Sequence, residues 1–267
     1  MTNLAVSNIA WSGQDLKVFD LLSKLGVNGI EVAPAKIANG WGSLTLSKMS
    51  QYRYMCEDFG LVIPSFQAFL YGKDEFQLLG STAVFLKMKD HFSFVAELAA
   101  KAGASILVYG APKSRLLLGH SEGDAFELSI QRLRELAEAC WAFGVSIGLE
   151  AVPHVYGGEF ITTPNDVMRI VKAVSHPGLV MHFDTGCTHL ANLDVAKELS
   201  LYLNAISHFH ISQPELKDFS FPEIYHSEVS QALSLSRYKG WVCIEMRETL
   251  TSCIDIKNAV KFVKSVY

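Results

Sequence analysis

Cysteine is scarce in this chain and odd in number. There are five, Cys56, Cys140, Cys187, Cys243 and Cys253, with no CxxC among them. Most sit inside apolar patterns, which excludes a disulfide framework or a zinc ribbon and predicts reduced thiols. No apolar run approaches the roughly 18 residues that a membrane helix requires. The opening MTNLAVSNIAW has no basic leader and no signal-peptide shape, which predicts a cytoplasmic protein. Neither GxGxxG nor GxxxxGK followed by Ser or Thr occurs, so the glycine-rich phosphate loops of nucleotide-binding sheets are missing. Charge is sparse too. A net charge of −4 gives no general attraction for nucleic acid or an anionic membrane, and neither is expected as a partner.

What the chain does have is apolar bulk in short pieces. At 267 residues and 49% hydrophobic it can bury a large core, as one large α/β domain or two smaller ones. Strands are predicted at Leu4–Trp11, Gly29–Ala33, Leu61–Phe69, Ser105–Tyr109 and Ser146–Pro153, then around Asp184, His210 and Glu245. Helical patterns lie between them, over Gln14–Leu25, Thr45–Phe59, Thr82–Ala102, Gly123–Phe143, Thr163–Val174, Asp194–Leu203, Glu223–Ser236 and Ser252–Val266. Gly26, Gly60 and Gly103 stop the first three helices, and Pro164 sits in the first turn of the fifth. These strand–helix units of about thirty residues, with no linker or charge block between them, predict one (β/α)8 barrel spanning residues 1–267. A doubly wound open sheet is the alternative, without the phosphate loop it would want.

The last strands share a pattern. SIGLEAVP carries Glu150 at its end, VMHFD ends in Asp184, ISHFH in His210 and WVCIE in Glu245. An ionised carboxylate there is costly to bury unless it is paired or bound to a metal. In a barrel, strand C-termini converge on one mouth, so these side chains can share a pocket. Carboxylates meeting there repel, a divalent cation removes the repulsion, and one imidazole completes an O,O,O,N set. Such a set suits Mn²⁺ first, with Mg²⁺, Co²⁺, Fe²⁺ or Zn²⁺ as alternatives. The bland alternative is a series of separate polar strand ends; their register on consecutive strands favours the metal. Two residues back on the same faces lie His182 and His208, which either orient the ligands or are core histidines.

Almost the whole chain resembles the xylose isomerase-like barrels that include sugar and sugar-phosphate isomerases and epimerases, D-tagatose 3-epimerase among them, and metal-dependent abasic-site endonucleases. The resemblance is carried by SNIAW (7–11), GIEVAP (29–34), Glu150, FDTG (183–186), HFHIS (208–212) and YKGWVCIEMRE (238–248). It implies that Glu150, Asp184, His210 and Glu245 bind one divalent metal and that Glu150 and Glu245 double as acid/base pair. Two positions depart from the family. Cys187 stands where epimerases carry a substrate-binding His, with His189 just beyond, and Lys217 is the nearest base where they carry an Arg.

The chemistry implied is proton transfer beside a carbonyl through an enediolate. Depending on where the proton returns, the outcome is epimerisation or isomerisation of a sugar, polyol or sugar phosphate. Loss of a β-hydroxyl would make it an inosose-type dehydration. Lys113 and Arg115, after the fourth strand, are candidates for holding a phosphate or carboxylate. Glu31, Gln67 and His154 are further substrate-binding candidates; for Glu31 the alternative is a pairing with Lys36 or another base, and its inward strand position favours function. Trp11 and Phe69 read as core, and His226 as a surface histidine. A non-catalytic sugar-binding barrel and an endonuclease are the rival functions, and a homodimer is left open.

Overall fold

The computed structural model describes residues 3–38, 40–236 and 238–267. Among these the strands are β1 (Leu4–Ser7), β2 (Gly29–Glu31), β3 (Ser65–Phe66), β4 (Ile106–Tyr109), β5 (Ser146–Leu149), β6 (Leu179–Asp184), β7 (Ile206–Ser212) and β8 (Val242–Glu245). The helices are α1 (Asp15–Lys24), α2 (Leu46–Glu57), α3 (Thr82–Ala102), α4 (Glu122–Trp141), α5 (Pro164–Val174), α6 (Thr185–Leu190), α7 (Val195–Tyr202), α8 (His226–Leu235) and α9 (Ser252–Val266).

Every strand pair is parallel, and the order runs β2-β1-β8-β7-β6-β5-β4-β3. The remaining seam, β2 to β3, is joined by the bridges Gly29↔Val62 and Val32↔Phe66, giving the (β/α)8 barrel. That seam is thin for a chemical reason. Pro64 has no N–H to give a ladder, so β3 shrinks to two residues, although the Pro64 carbonyl still accepts from Ser105 at 3.1 Å.

The helices wrap the barrel with their apolar stripes. On α3 the buried residues Phe85, Met88, Phe92, Val95, Ala96 and Ala99 recur at helical spacing. Phe92 meets Phe69 edge-on at 5.0 Å and Tyr109 at 5.4 Å, joining α3 to the strand ends. Each such ring buries about 1.5–3 kcal/mol of transfer free energy. Ser81 caps α3, and Gly103, at φ 85°, ends it in the left-handed region.

Besides the shortened β3, and β5, which ends at Leu149 rather than Pro153, three elements differ from the sequence-based expectation. The first strand stops at Ser7, because the Ser7 hydroxyl accepts from the Ile9 N–H and Asn8–Ala10 form a 3-10 turn. The eighth helix starts at His226 rather than Glu223, whose N–H is held by the Gln213 side chain at 2.9 Å. Helix α6 was not expected. Asp184 caps it by accepting from the Cys187 N–H at 2.5 Å, and Gly186 lets it lie against β7, where a Cβ would come within 2.6 Å of Ser212 Oγ. No helix among the described residues is long and apolar enough to cross a membrane.

Candidate metal centre

Parallel register aligns the ends of the last strands. Asp184 pairs with His210 across β6–β7, Ser212 pairs with Glu245 across β7–β8, and Glu150 follows β5 directly. Alternation turns His182, Asp184, His208 and His210 to the barrel interior, where all are buried.

His210 is the hub. Its Nδ1 faces the mouth, 3.2 Å from Glu245 Oε2 and 3.6 Å from Asp184 Oδ2, while Nε2 reaches Glu31 at 3.0 Å. Glu31 also accepts from Ser65 Oγ at 2.7 Å and lies 3.5 Å from His208. Ser212 Oγ donates to the Asp184 carboxylate at 2.8–2.9 Å. Donor atoms of Glu150, His182, Asp184 and His210 all lie within 4.8 Å of one another. Accessibility separates the members: Glu150 and Glu245 keep side-chain exposures of 10% and 11%, whereas Asp184 has 2% and Glu31 and His182 have none.

The electrostatics are those of a crowded anionic pocket. Burial, then Asp184 and Glu245, push the Glu150 carboxyl well above the usual carboxylate range. Burial raises Glu245 as well, against the pull of His210. For His210 burial works against the charge, but Glu31, Glu245 and Asp184 outweigh it and the imidazole is raised well above its ordinary value. Burial would raise Glu31, yet His210, His208 and Ser65 together bring it down to about 2. His182 is held well below the ordinary range by burial and by the two other histidines. A chain that folds carboxylates into one pocket at the cost of holding protons on them fits a divalent cation, which would replace those protons. The N and O donors, with thiols to the side, suit that group.

The other sequence-predicted residues are dispersed. Arg115 is fully buried. Its Nη1 donates to the Glu150 carbonyl at 2.7 Å, its guanidinium lies 5.2 Å from the Tyr109 ring centre, and Nε and Nη2 have no hydrogen-bond partner among the described residues. Lys113 is exposed and ion-paired with Asp74 at 2.6 Å, so it and Arg115 do not share a pocket. Lys217 is likewise paired with Glu223 at 2.8 Å. His154 is exposed, and its ring bonds the Gly158 carbonyl at 2.7 Å. Gln67, at the end of β3, is buried and donates to Ser7 Oγ at 2.6 Å. His189 sits half-buried on α6. Glu31 does not pair with Lys36, which bonds the Trp11 carbonyl instead. His226 is a correction. It is buried, with Nδ1 on Tyr267 Oη at 2.7 Å, because its helix starts against α9.

Two residues were undervalued in the sequence. His182 falls inside the donor cluster, beside the expected Glu150, Asp184 and His210. The signal was its i−2 position to Asp184. Gly110 is the other: a Cβ there would lie 1.6 Å from Glu150 Oε2, so only glycine leaves room for that carboxylate.

No curated protein matches the sequence. Among solved structures, 3-keto-D-glucoside 4-epimerase from E. coli superposes with a TM-score of 0.83 at 14% identity, covering 99% of this chain and 100% of that one. A D-psicose 3-epimerase determined in the presence of D-fructose gives 0.82 at 15% identity, with 99% of both chains covered. L-ribulose 3-epimerase gives 0.81 at 16% identity, covering 99% of this chain and 94% of that one. At such identities the likeness is one of fold. The family model described as xylose isomerase-like TIM barrel matches residues 19–265, and the chain belongs to that family.

Proposed function

We propose that the protein is a divalent-metal-dependent isomerase or epimerase of a sugar, polyol or sugar phosphate, with Glu150 and Glu245 as its acid/base pair. The observation that carries this reading is the pairing of position with accessibility. These two glutamates flank the donor cluster at the strand ends and are its most exposed carboxylates. The fold shared with sugar epimerases supports it.

Glu150, Asp184, His210 and Glu245 are the residues proposed to hold the cation. A cation bound there would polarise a substrate carbonyl and make the neighbouring C–H acidic. The protein's own share is to place two proton carriers on different sides of that carbon. Glu150 comes from β5 and Glu245 from β8, three strands apart in the ring. Glu150, at the end of β5, would hand a proton to or take one from one side of that carbon. Glu245, tethered to His210 Nδ1, serves as the base. Ser212 fixes Asp184 and Glu31 fixes His210, so the cluster is oriented from beneath.

The deciding experiment is proton exchange. The metal-loaded protein is incubated in D₂O with ketoses, inososes and their phosphates, and deuterium at the carbon beside the carbonyl is followed by NMR. Uptake on one substrate class that is lost in both Glu150→Gln and Glu245→Gln is the expected result. No uptake across the panel, or uptake unaffected by either variant, would refute the reading.

A further inference from the structure

We infer that Arg115 is a positioning residue for Glu150: its buried guanidinium grips the peptide that carries the carboxylate and so sets the side from which Glu150 meets the reacting carbon. This rests on the role proposed above for Glu150 and adds the residue that aims it.

Glu150 needs such a grip because it lies one residue beyond the ladder. β5 ends at Leu149, paired with Tyr109 on one side and Met181 on the other. Past that point the chain leaves the sheet for Pro153 and the 3-10 turn His154–Tyr156. The Glu150 N–H still donates to the Tyr109 carbonyl at 3.2 Å. Its own carbonyl accepts from no backbone N–H among the described residues and takes Arg115 Nη1 instead, at 2.7 Å. A buried carbonyl left without a donor costs about 1–3 kcal/mol, so the guanidinium stands in for the missing strand neighbour.

Arg115 is fixed in turn by the segment it closes. Its guanidinium lies 5.2 Å from the Tyr109 ring centre, and Tyr109 Oη shares a hydrogen bond with Ser114 Oγ at 2.9 Å. The Ser114 carbonyl accepts from the Leu78 N–H at 2.8 Å. Between Tyr109 and Arg115 stands Gly110, which leaves the space that the Glu150 carboxylate fills. Residues 109–115 therefore hold Glu150 at three points: its N–H, its carbonyl and its carboxylate.

Arg115 does this without touching substrate or cation, since its whole surface is covered. Nor is it tied up elsewhere: it forms no ion pair among the described residues, and the Glu150 carbonyl is its one hydrogen-bond acceptor. A guanidinium is costly to bury in that way for the sake of one carbonyl. The carboxylate whose charge acts on it through space is Glu150 itself. A second buried arginine gives the contrast. Arg132 on α4 lies 4.8 Å from the Phe85 ring centre and donates to the carbonyls of Leu78 and Gly80 at 2.6 and 2.7 Å. Its anatomy is the same, but it ties α4 to the turn before α3 rather than to a strand end.

The test separates aim from stability. Arg115→Met, Arg115→Lys and Arg132→Met are made in the full chain at saturating metal. For each, kcat and KM are measured on the substrate that exchanges deuterium, with metal stoichiometry and melting temperature alongside. Arg115→Met is expected to lose about 100-fold in kcat, as for a displacement of about 1 Å at a reacting group, with KM unchanged and one ion still bound. Arg115→Lys keeps a charged donor and is expected to recover about 10-fold of that loss. Arg132→Met is expected to lower the melting temperature and leave kcat alone. A wild-type kcat in Arg115→Met overturns the inference, or in Arg115→Lys if the methionine variant does not fold. An equal kcat loss in Arg132→Met overturns it as well. So does a KM rise confined to carboxylated or phosphorylated substrates with kcat unchanged, which would make Arg115 a substrate contact. Full turnover in Glu150→Gln, or no exchange on any substrate, removes the role of Glu150 and this inference with it. An inactive Glu150→Gln beside a fully active Arg115→Met sinks the role of Arg115 alone.

Discussion

The floor and the mouth of the pocket at the strand ends both bury carboxylates, and they do opposite things with them. On the floor, Glu31 is surrounded by donors, His210 Nε2, Ser65 Oγ and the Cys243 thiol, and stays ionised with its carboxyl down to about 2. At the mouth, Glu150 and Glu245 meet each other and Asp184, and both are pushed up. Glu31 is the most deeply buried of the three, yet it is the one whose carboxyl is held down. The partners differ, and they decide the sign. A carboxylate saturated by donors is an anchor, and one crowded by its own kind is ready to exchange a proton or take a cation. His210 joins the two zones, one nitrogen on Glu31 and the other on Glu245.

The largest expected effect tests the mouth. Glu150→Gln or Glu245→Gln should lower turnover by about 10³-fold, in the range lost when a general acid or base is removed, while the circular dichroism spectrum stays unchanged. Full turnover in either variant would remove that residue from the proton transfer. The floor is tested next. Glu31→Gln takes away the anion beneath His210 and should cost about 3–5 kcal/mol in a urea denaturation series, with metal affinity reduced about 10–100-fold. If stability and affinity both survive, the floor is not an anchor.

A third variant links the zones by shape alone. In Gly110→Ala the new Cβ falls 1.6 Å from Glu150 Oε2, so the carboxylate has to swing aside. A displacement of about 1 Å at the reacting group predicts a loss of about 100-fold in kcat. An unchanged kcat would mean that the position of Glu150 does not matter.

The smallest effect sharpens the contrast with a group that has burial and no charge partner. His226 is brought down to about 4 by burial alone. Its folded value lies below its ordinary 6.5, so protonation favours the unfolded chain. The stability it contributes is complete above pH 6.5, drains away as pH falls toward 4, and amounts to about 3 kcal/mol in all. Denaturation midpoints of wild type and His226→Gln, compared at neutral pH and near pH 4.5, should show a shallower acid loss in the variant. Parallel curves would contradict this.

Local chemistry explains how much was legible. Helix α3 has the ends its sequence predicts, Thr82 and Ala102, since the Ser81 cap and the Gly103 stop lie beside them in the chain. The order of Glu150, Asp184, His210 and Glu245 was readable for a similar reason, each closing a short apolar run. Helix α6 was not, because its start depends on Asp184 capping the Cys187 N–H and on Gly186 leaving room for Ser212 of β7. Arg115 stood out as a cation in a loop, yet it is buried beside Tyr109 with a bond to the Glu150 backbone.

Alternating short strands and capped helices, with acidic and imidazole groups at the strand ends, are properties of neighbouring residues, and the chain alone determined them together with the barrel they imply. Which carboxylate is anchored and which is crowded was decided only by tertiary structure. Those outcomes depend on Ser65, Glu31 and His208, which meet across the barrel from strands far apart in sequence, and a hydrogen bond's direction has no meaning until both of its partners are in place.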